Sequence, residues 1–551
     1  MISHTFRSAS CVSLVIVCSA TALERHPAGK RNPAPPLAVV VVVDQMRADY
    51  LTRFAPMYTG GLARLMRTGT VYTRAYHDHS ATETAVGHAT ISTGCYPSHH
   101  GIVGNSWYDQ EQHKMVASVG DSTCPVVGGS GKGGASPHNL LRPALGDWLK
   151  ATSPQSKVYS LALKDRAAIL MGGEHPDGAF WYDRSTGDYV TSKYYSGTLP
   201  TVVMDFDKAR WPDSFRPQGW QQLFPNSAYV ASHADSFAAE NDGIHVAFPH
   251  LFDSLAQPKD YYAEFYGTPF ADELTLKLAE AITRQEALGR DSFPDLLWIS
   301  CSAADAIGHA FGPNSQEMED YYLRLDRYLD TFFTALDSSV GSDNYLVVLT
   351  GDHGAMTMPE DLAMRGIKGG RIALDSAVKW TMTAGDSAAV NLHLSRNPIA
   401  RCDYEIYLDY SESRAHGIDD TVLQNVVASY VRRLPDIAVA YTSHELAHDS
   451  ASSQPYFDLF ENAFSPVRRP DIYFAYLENY LVESDPHGTS HGTPYDYDRH
   501  VPLVMAGPGV ARGTISRTVY TVDIAPTIAA LLGVIAPDSV DGRPLGLRST
   551  K

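Results

Sequence analysis

The chain has 551 residues, 44% apolar and 19% charged, ordinary usage for a folded protein, which excludes a wholly disordered or fibrous chain. Its 62 acidic against 44 basic residues give a formal charge of −18, and no basic run of any size occurs, so nucleic-acid binding, which needs a cationic footprint, is not expected. A single apolar segment, at the N-terminus, is able to enter a membrane, which excludes a multispanning protein.

That segment reads as a signal peptide over residues 1–22. Arg7 supplies the positive start, Cys11 to Cys18 the short apolar run, and Ala20-Thr21-Ala22 a small-x-small cleavage site. Residues 23–37, with Pro27, Pro33, Pro35 and Pro36, read as a Pro-rich linker to a folded domain over 38–547. Export places the mature protein in the periplasm or outside the cell, with no transmembrane anchor after cleavage. It also permits disulfides among Cys95, Cys124, Cys301 and Cys402 without choosing a pairing.

Ala38 to Val43 is a continuous, mostly β-branched run, the pattern of a strand buried on both faces, and it ends at Asp44. In Thr82 to Thr90, Thr84 lies near an expected helix start, where free N–H groups and the helix dipole favour an anion. Its hydroxyl is either a nucleophile or a helix cap. From about 105 to 295 the chain is rich in Tyr, Trp, Pro and Gly and reads as an insertion capping a sheet. Within it, Gly128 to Gly134 has the composition of a phosphate-binding loop. No hydroxyl residue follows Lys132 and no strong strand precedes it, so a loop is expected. Lys164 and Arg166 are two apart and on a strand would share one face, a point charge beside a planar fork suited to phosphate oxygens. In isolation such a pair reads better as a solvated surface feature, and only the rest of the constellation shifts that balance.

The next buried run, Leu296 to Ser300, is followed by Asp305 and His309. A helix from about Ser315 to Leu336 sets Met318, Tyr321, Leu325, Tyr328, Phe332 and Leu336 on one face. Tyr345 to Leu349 is a third buried run, followed by Asp352 and His353. A second capping insertion, about 359–483, contains a helix near Val422 to Leu434. Then come His487 and His491, a fourth run from Val501 to Met505, and a helix from Asp523 to just before Gly533. Buried strands alternating with amphipathic helices predict an α/β fold, a doubly wound, mostly parallel sheet flanked by helices.

Ligand sites in such sheets lie at the carboxyl ends of strands. Here three strands are each followed by Asp, two of them with His alongside. Asp44, Asp305, His309, Asp352 and His353 therefore read as metal ligands, with His491 as a sixth in preference to His487. Nitrogen and oxygen ligands favour Zn²⁺ and also admit Mn²⁺ or Fe. Two metals about 3.5–4 Å apart suit in-line phosphoryl or sulfuryl transfer, clamping the attacking and the leaving oxygen.

In chain order, Thr84-x-x-Gly87-His88, Thr93-Gly94-x-x-Pro97, His100-Gly101-Ile102-x-Gly104-Asn105, Asp305-x-x-Gly308-His309, Gly351-Asp352-His353-Gly354 and His491-Gly492-x-x-Tyr495-x-Tyr497-Asp498 resemble the alkaline phosphatase superfamily. Lys164-Asp165-Arg166-Ala167-Ala168 resembles the bacterial, PafA-type alkaline phosphatases with a Thr nucleophile. The resemblance runs from about Val39 to Leu547. It implies an exported metal-dependent phosphomonoesterase that hydrolyses small phosphate monoesters through a phosphothreonine at a site of two Zn²⁺ ions. Asp305, His309 and His491 would hold one zinc. Asp44, Asp352 and His353 would hold the other, with Thr84 as its oxygen ligand and as the nucleophile. Asn105, Lys164 and Arg166 would bind phosphoryl oxygens, and two cations there favour a monoester dianion over a diester. The alternatives are a phosphodiesterase or nucleotide pyrophosphatase on the same scaffold and, from another class, a non-catalytic phosphate- or metal-binding protein. Cys95-Tyr96-Pro97-Ser98-His99 is similar to the sulfatase Cys-x-Pro-Ser-Arg signature, but His99 replaces the Arg. In sulfatases that Cys stands nine residues before the Thr-Gly, and here the position nine before Thr93 is Thr84.

Overall fold

The computed structural model describes Met1 and residues 34–252, 255, 257–448 and 453–546; the expected signal peptide and most of the linker lie outside the described residues. The principal elements are β1 (Leu37–Val43), β2 (Thr70–Tyr76), α1 (Thr84–Thr93), β3 (Val158–Ala162), α2 (Asp165–Gly172), β4 (Gly178–Asp183) and β5 (Asp188–Ser192). They continue with β6 (Asp295–Cys301), α3 (Ala303–Phe311), α4 (Gln316–Ser339), β7 (Tyr345–Thr350), β8 (His500–Ala506) and α5 (Ile524–Leu532).

Strand β1 is buried at every position, as its apolar run requires, because it lies in the middle of a twelve-stranded sheet. It pairs in parallel with β6 on one side and β7 on the other. Beyond β6 follow β3, β4 and β5; beyond β7 follow β8 and β2. Alternation along β1 divides the core in two. Val39, Val41 and Val43 face a layer containing Tyr321, Leu325, Phe332 and Leu336 of α4. Ala38, Val40 and Val42 face a layer built with α1, α2 and α5. Helices on both faces of a largely parallel sheet are the predicted doubly wound α/β architecture. Helix α4 starts where its sequence signals it: the Ser315 side chain accepts the Met318 N–H. Asp523 likewise precedes α5, and Gly533 ends it with φ +73°.

Three features differ from the sequence expectation. The 105–295 stretch is more than a cap, since it inserts β3, β4 and β5 into the main sheet. Strand β8 is buried but antiparallel to β7. The reason is topological: β7 ends at the site, the chain makes its excursion, and it returns at the same end through His491, so the next strand must run away from that end. Lys164 and Arg166 do not share a strand: β3 ends at Ala162, Lys164 is the residue before α2, and Arg166 lies in its first turn.

The 359–483 stretch forms its own antiparallel sheet, in the order Ile399–Cys402, Glu405–Leu408, Ile472–Tyr476, Ile437–Thr442. The helices Leu374–Asn391 and Asp420–Val431 back it, the second being the one expected near Val422. Ile406, Leu423, Val427 and Ile472 form its separate core.

Candidate active site

The site lies at the carboxyl ends of β1, β6 and β7. Asp44 directly follows β1, and its N–H continues the pairing by donating to Cys301 O at 3.0 Å. Asp305 and His309 stand one helical turn apart on α3, which follows β6, so both face the same way. Asp352 and His353 follow β7. His491 arrives on the loop before β8. Thr84 is the first residue of α1, with Glu83 as its N-cap. The structure therefore brings Asp44, Thr84, Lys164, Asp305, His309, Asp352, His353 and His491 together from segments far apart in the chain.

Ligand-type atoms close into two overlapping groups, each within 4.8 Å: Asp305, His309 and His491, and Asp44, Asp305 and His353. Asp352 stands beside the second group, its Oδ2 3.5 Å from His353 Nε2. His309 Nδ1 lies 2.7 Å from Thr489 O, His353 Nδ1 2.9 Å from Gly354 O, and His491 Nδ1 2.7 Å from Thr82 O. A carbonyl only accepts, so each Nδ1 carries a proton, and in the neutral ring each Nε2 turns a lone pair inward. Those lone pairs face carboxylate oxygens: His309 and His491 Nε2 lie 3.2 and 3.6 Å from Asp305 Oδ1, and His353 Nε2 lies 3.4 Å from Asp44 Oδ1. Lone pair against lone pair is repulsive unless a proton or a metal cation lies between them. Asp44 Oδ1 and Asp352 Oδ2 are also buried without a hydrogen-bond partner. Donor set, tautomers and orphaned oxygens all fit divalent metal ions.

Among the described residues, the one full cation inside this cluster is Lys164. Its Nζ lies 2.7 Å from Asp44 Oδ2, 2.6 Å from Asp305 Oδ2 and 3.0 Å from Thr84 Oγ1. Burial disfavours its charge, but Asp305 and Asp44 outweigh that and raise its pKa above the ordinary value. One ammonium does not balance three carboxylates. Burial and the neighbouring Asp352 push Asp44 well above the usual carboxylate range, the signature of a site short of positive charge. His491 and His353 are pushed down, first by burial, and so remain neutral, whereas Asp305 raises His309 against burial.

Thr84 is buried, its Oγ1 3.5 Å from His353 Nε2. Asn105 Oδ1 accepts the Ala85 N–H at 3.0 Å, which ties Asn105 to the start of α1. Arg166 makes no hydrogen bond to the other site residues, and its Nε is buried without a partner. Asp44 and Asp305 are among the charges that raise its pKa against burial. His487 stays outside both groups, 3.4 Å from Asp485. Cys95 is buried just past α1, its Sγ 3.5 Å from Thr93 O, and takes no part in the site.

Gln45 escaped the sequence reading, which named His88 only within the Thr84 motif and gave it no role. Gln45 has φ +60°; its N–H donates to Asp352 Oδ1 and its side-chain amide to Asp305 Oδ1, both at 3.0 Å. His88 Nδ1 lies 2.8 Å from Thr84 O and 3.2 Å from Asp352 Oδ2. Gln45 follows Asp44 with no spacing signal. His88 had one, the i+4 distance from Thr84, but helical histidines at that spacing are usually packing groups.

The profile of the family described as Type I phosphodiesterase / nucleotide pyrophosphatase matches residues 38–494. The chain is 35% identical over 534 residues to alkaline phosphatase PafA of Elizabethkingia meningoseptica, covering 93% of this chain and 94% of that one. It is 34% identical over 547 residues to alkaline phosphatase PhoV of Synechococcus elongatus, covering 97% and 98%. The crystal structure of wild-type PafA superposes with a TM-score of 0.87 at 34% identity over 93% of this chain and 99% of that chain. The chain belongs to the Type I phosphodiesterase / nucleotide pyrophosphatase family of the alkaline phosphatase superfamily, and within it to the PafA-type branch.

Proposed function

We propose that the protein is an exported zinc-dependent phosphomonoesterase of the alkaline phosphatase type, in which Thr84 accepts the phosphoryl group and water removes it. The observation that carries this reading is the Thr84 hydroxyl at the head of α1, 3.0 Å from the Lys164 ammonium and beside two ligand groups whose inward lone pairs call for cations. Asp305, His309 and His491 would hold one zinc, and Asp44, Asp352 and His353 the other. Bound zinc supplies Lewis-acid charge and lowers the pKa of a hydroxyl beside it.

The chain's own groups do the positioning. Helix α1 aims Thr84 Oγ1 outward from its positive end. The oxygen gives up its proton to solvent and attacks phosphorus; the Oγ1–P bond forms as the bond from phosphorus to the leaving oxygen breaks. The leaving oxygen keeps the bonding electrons and gains a proton, releasing the alcohol. Water then gives up a proton to solvent as its oxygen bonds to phosphorus, the Oγ1–P bond breaks with its electrons going to Oγ1, which takes a proton back, and inorganic phosphate leaves. Lys164 and Arg166 offset charge on the phosphoryl oxygens, and Asn105 offers its amide N–H while its Oδ1 stays on Ala85 N–H. The signal peptide over 1–22 and the folded domain over 38–547 fit a protein delivered to the periplasm or secreted.

Turnover of a simple aryl phosphate quenched in acid, followed by peptide mass analysis, tests the covalent step. A phosphate mass on the Thr84 peptide is expected, together with two equivalents of zinc in the active protein. An unlabelled Thr84 peptide, or a Thr84→Ala variant that keeps its rate, overturns the reading.

A further inference from the structure

A cavity of about 630 Å³ extends from Asn105, His309 and His491 to the underside of the 359–483 cap. The chemistry above uses none of its outer wall, yet that wall has a consistent character. On the cap strand Glu405–Leu408, Glu405 and Tyr407 are two apart and share one face, and the Tyr407 hydroxyl donates to Glu405 Oε2 at 3.0 Å. Tyr473 pairs directly across from Glu405 on the next strand. From the opposite side, Tyr108 meets Tyr407 edge-on with ring centres 5.3 Å apart. Tyr108 belongs to the strand Ser106–Asp109, which begins immediately after Asn105, so this aromatic wall is tied to the reacting end of the cavity. Tyr473 is 5% exposed, and its hydroxyl has no hydrogen-bond partner.

The charges in the lining are Glu83, Asp403, Glu405 and Glu483 against Arg401. Arg401 is paired with Asp403 at 2.7 Å, and Glu83 accepts the Asn105 N–H at 2.7 Å. Glu405 and Glu483 have no cationic partner among the described residues. Burial, with help from Glu83 and Asp403, lifts Glu405 to about 7, the response of a carboxyl in an apolar wall without a counter-charge. Aromatic faces combined with unbalanced carboxylates hold an alkylammonium group and reject a second anion.

We propose that this cavity receives the alcohol portion of the substrate and selects a cationic one, an aminoalcohol or a quaternary-ammonium alcohol, over neutral or anionic alcohols. This rests on the phosphomonoesterase reading and adds its substrate class. The reaction is unchanged: phosphorus leaves the ester oxygen, and the cationic alcohol departs protonated on oxygen.

The test uses the zinc-loaded protein and two esters of one shape, choline phosphate and the phosphate of 3,3-dimethylbutanol, in which carbon replaces the charged nitrogen. Intrinsic leaving-group reactivity differs between them, so the decisive quantity is how their kcat/KM ratio changes between wild type and Glu405→Gln combined with Glu483→Gln. The variant is expected to lose about tenfold more on the choline ester than on the neutral one. A variant-free readout accompanies it: tetramethylammonium chloride competitively inhibits hydrolysis of the neutral ester, and sodium chloride at the same concentration does not. An unchanged ratio, or equal effects of the two salts on the wild type, overturns the cationic preference while the phosphomonoesterase reading stands. Failure of the wild type to hydrolyse either ester overturns both.

Discussion

At Lys164 the demands of folding and of chemistry meet. A buried ammonium is tolerated only because Asp44 and Asp305 contact it, and the same atom reaches the Thr84 oxygen. A second positive charge, Arg166, stands within the field of the same carboxylates. A monoester dianion gains from both cations, whereas a diester has one charge fewer and a second organic group. Lys164→Ala with Arg166→Ala is therefore expected to cut kcat/KM for an aryl monoester about 100-fold more than for the matching methyl aryl diester, two charge-assisted contacts at roughly 1.5 kcal/mol each. Parallel rates on the two esters check this, and equal losses contradict it. The sequence paired the two residues through a shared strand face, and that geometry was wrong: Lys164 precedes α2 and Arg166 lies in its first turn. The local backbone turns at Leu163, and no periodicity in so short a stretch reveals it. Histidines show the same limit. His309 and His491 were legible from their motif context, whereas the clustered His77 and His100 were ambiguous until the structure showed both rings spent on internal hydrogen bonds.

At the scale of elements, the site depends on how closely α1 and α3 approach the ends of β7 and β1. A Cβ on Gly87 would meet Asp352 O at 2.0 Å, and one on Gly308 would meet Gln45 Oε1 at 1.8 Å. The first obstruction is backbone and has no rotamer to yield. Gly87→Ala is expected to lift α1 off the Asp352 loop, costing about 1–3 kcal/mol of stability. A displacement on the order of 1 Å at Thr84 costs about 100-fold in kcat/KM. Urea unfolding alongside kinetics tests it; wild-type values in both would show that the helix does not need this approach. The glycines of the Thr84 and Asp305 motifs thus have a steric origin. The strands β1, β6 and β7 were legible because burial on both faces demands unbroken apolar runs. Strands β3 and β4, Val158-Tyr-Ser-Leu-Ala162 and Gly178-Ala-Phe-Trp-Tyr-Asp183, lie inside a Tyr- and Gly-rich stretch whose composition masks them. The direction of β8 was not legible, because it is set by where a distant excursion returns and not by any residue of the strand. The cap sheet was also hidden: its short antiparallel strands carry polar residues such as Glu405 and Tyr407 on the cavity face.

Over the whole molecule, buried titratable groups form two sets that pull stability in opposite directions with pH. His100 accepts the Ile102 N–H on Nδ1 at 3.1 Å, and its Nε2 lies 3.1 Å from the Thr90 hydroxyl. A proton on Nδ1 would break the first bond, and burial together with His99 holds the ring down at about 3. Burial likewise holds His77 at about 3. The unfolded rings bind protons below about 6.5, so the stability these histidines contribute is complete above that pH and drains as pH falls toward 3, by roughly 1.4 kcal/mol per pH unit each. Asp272 and Asp498, raised by burial to about 7, behave in the opposite sense. Their contribution is complete below about 3.8 and is lost as pH rises through 7. Because the sets offset one another, the global curve is flatter than either, and each shows itself in a difference between variant and wild type. His100→Gln removes a group that the acid-unfolded chain would protonate. Its stability relative to wild type is expected to rise by about 1.4 kcal/mol per pH unit from pH 6 to 4. Asp272→Asn removes a carboxyl that the folded chain protonates first, so its relative stability is expected to fall over the same change, most steeply between pH 7 and 4. Urea unfolding at pH 8, 6 and 5 reads both, and two flat differences, or two of the same sign, would mean that burial does not hold these groups in their neutral forms.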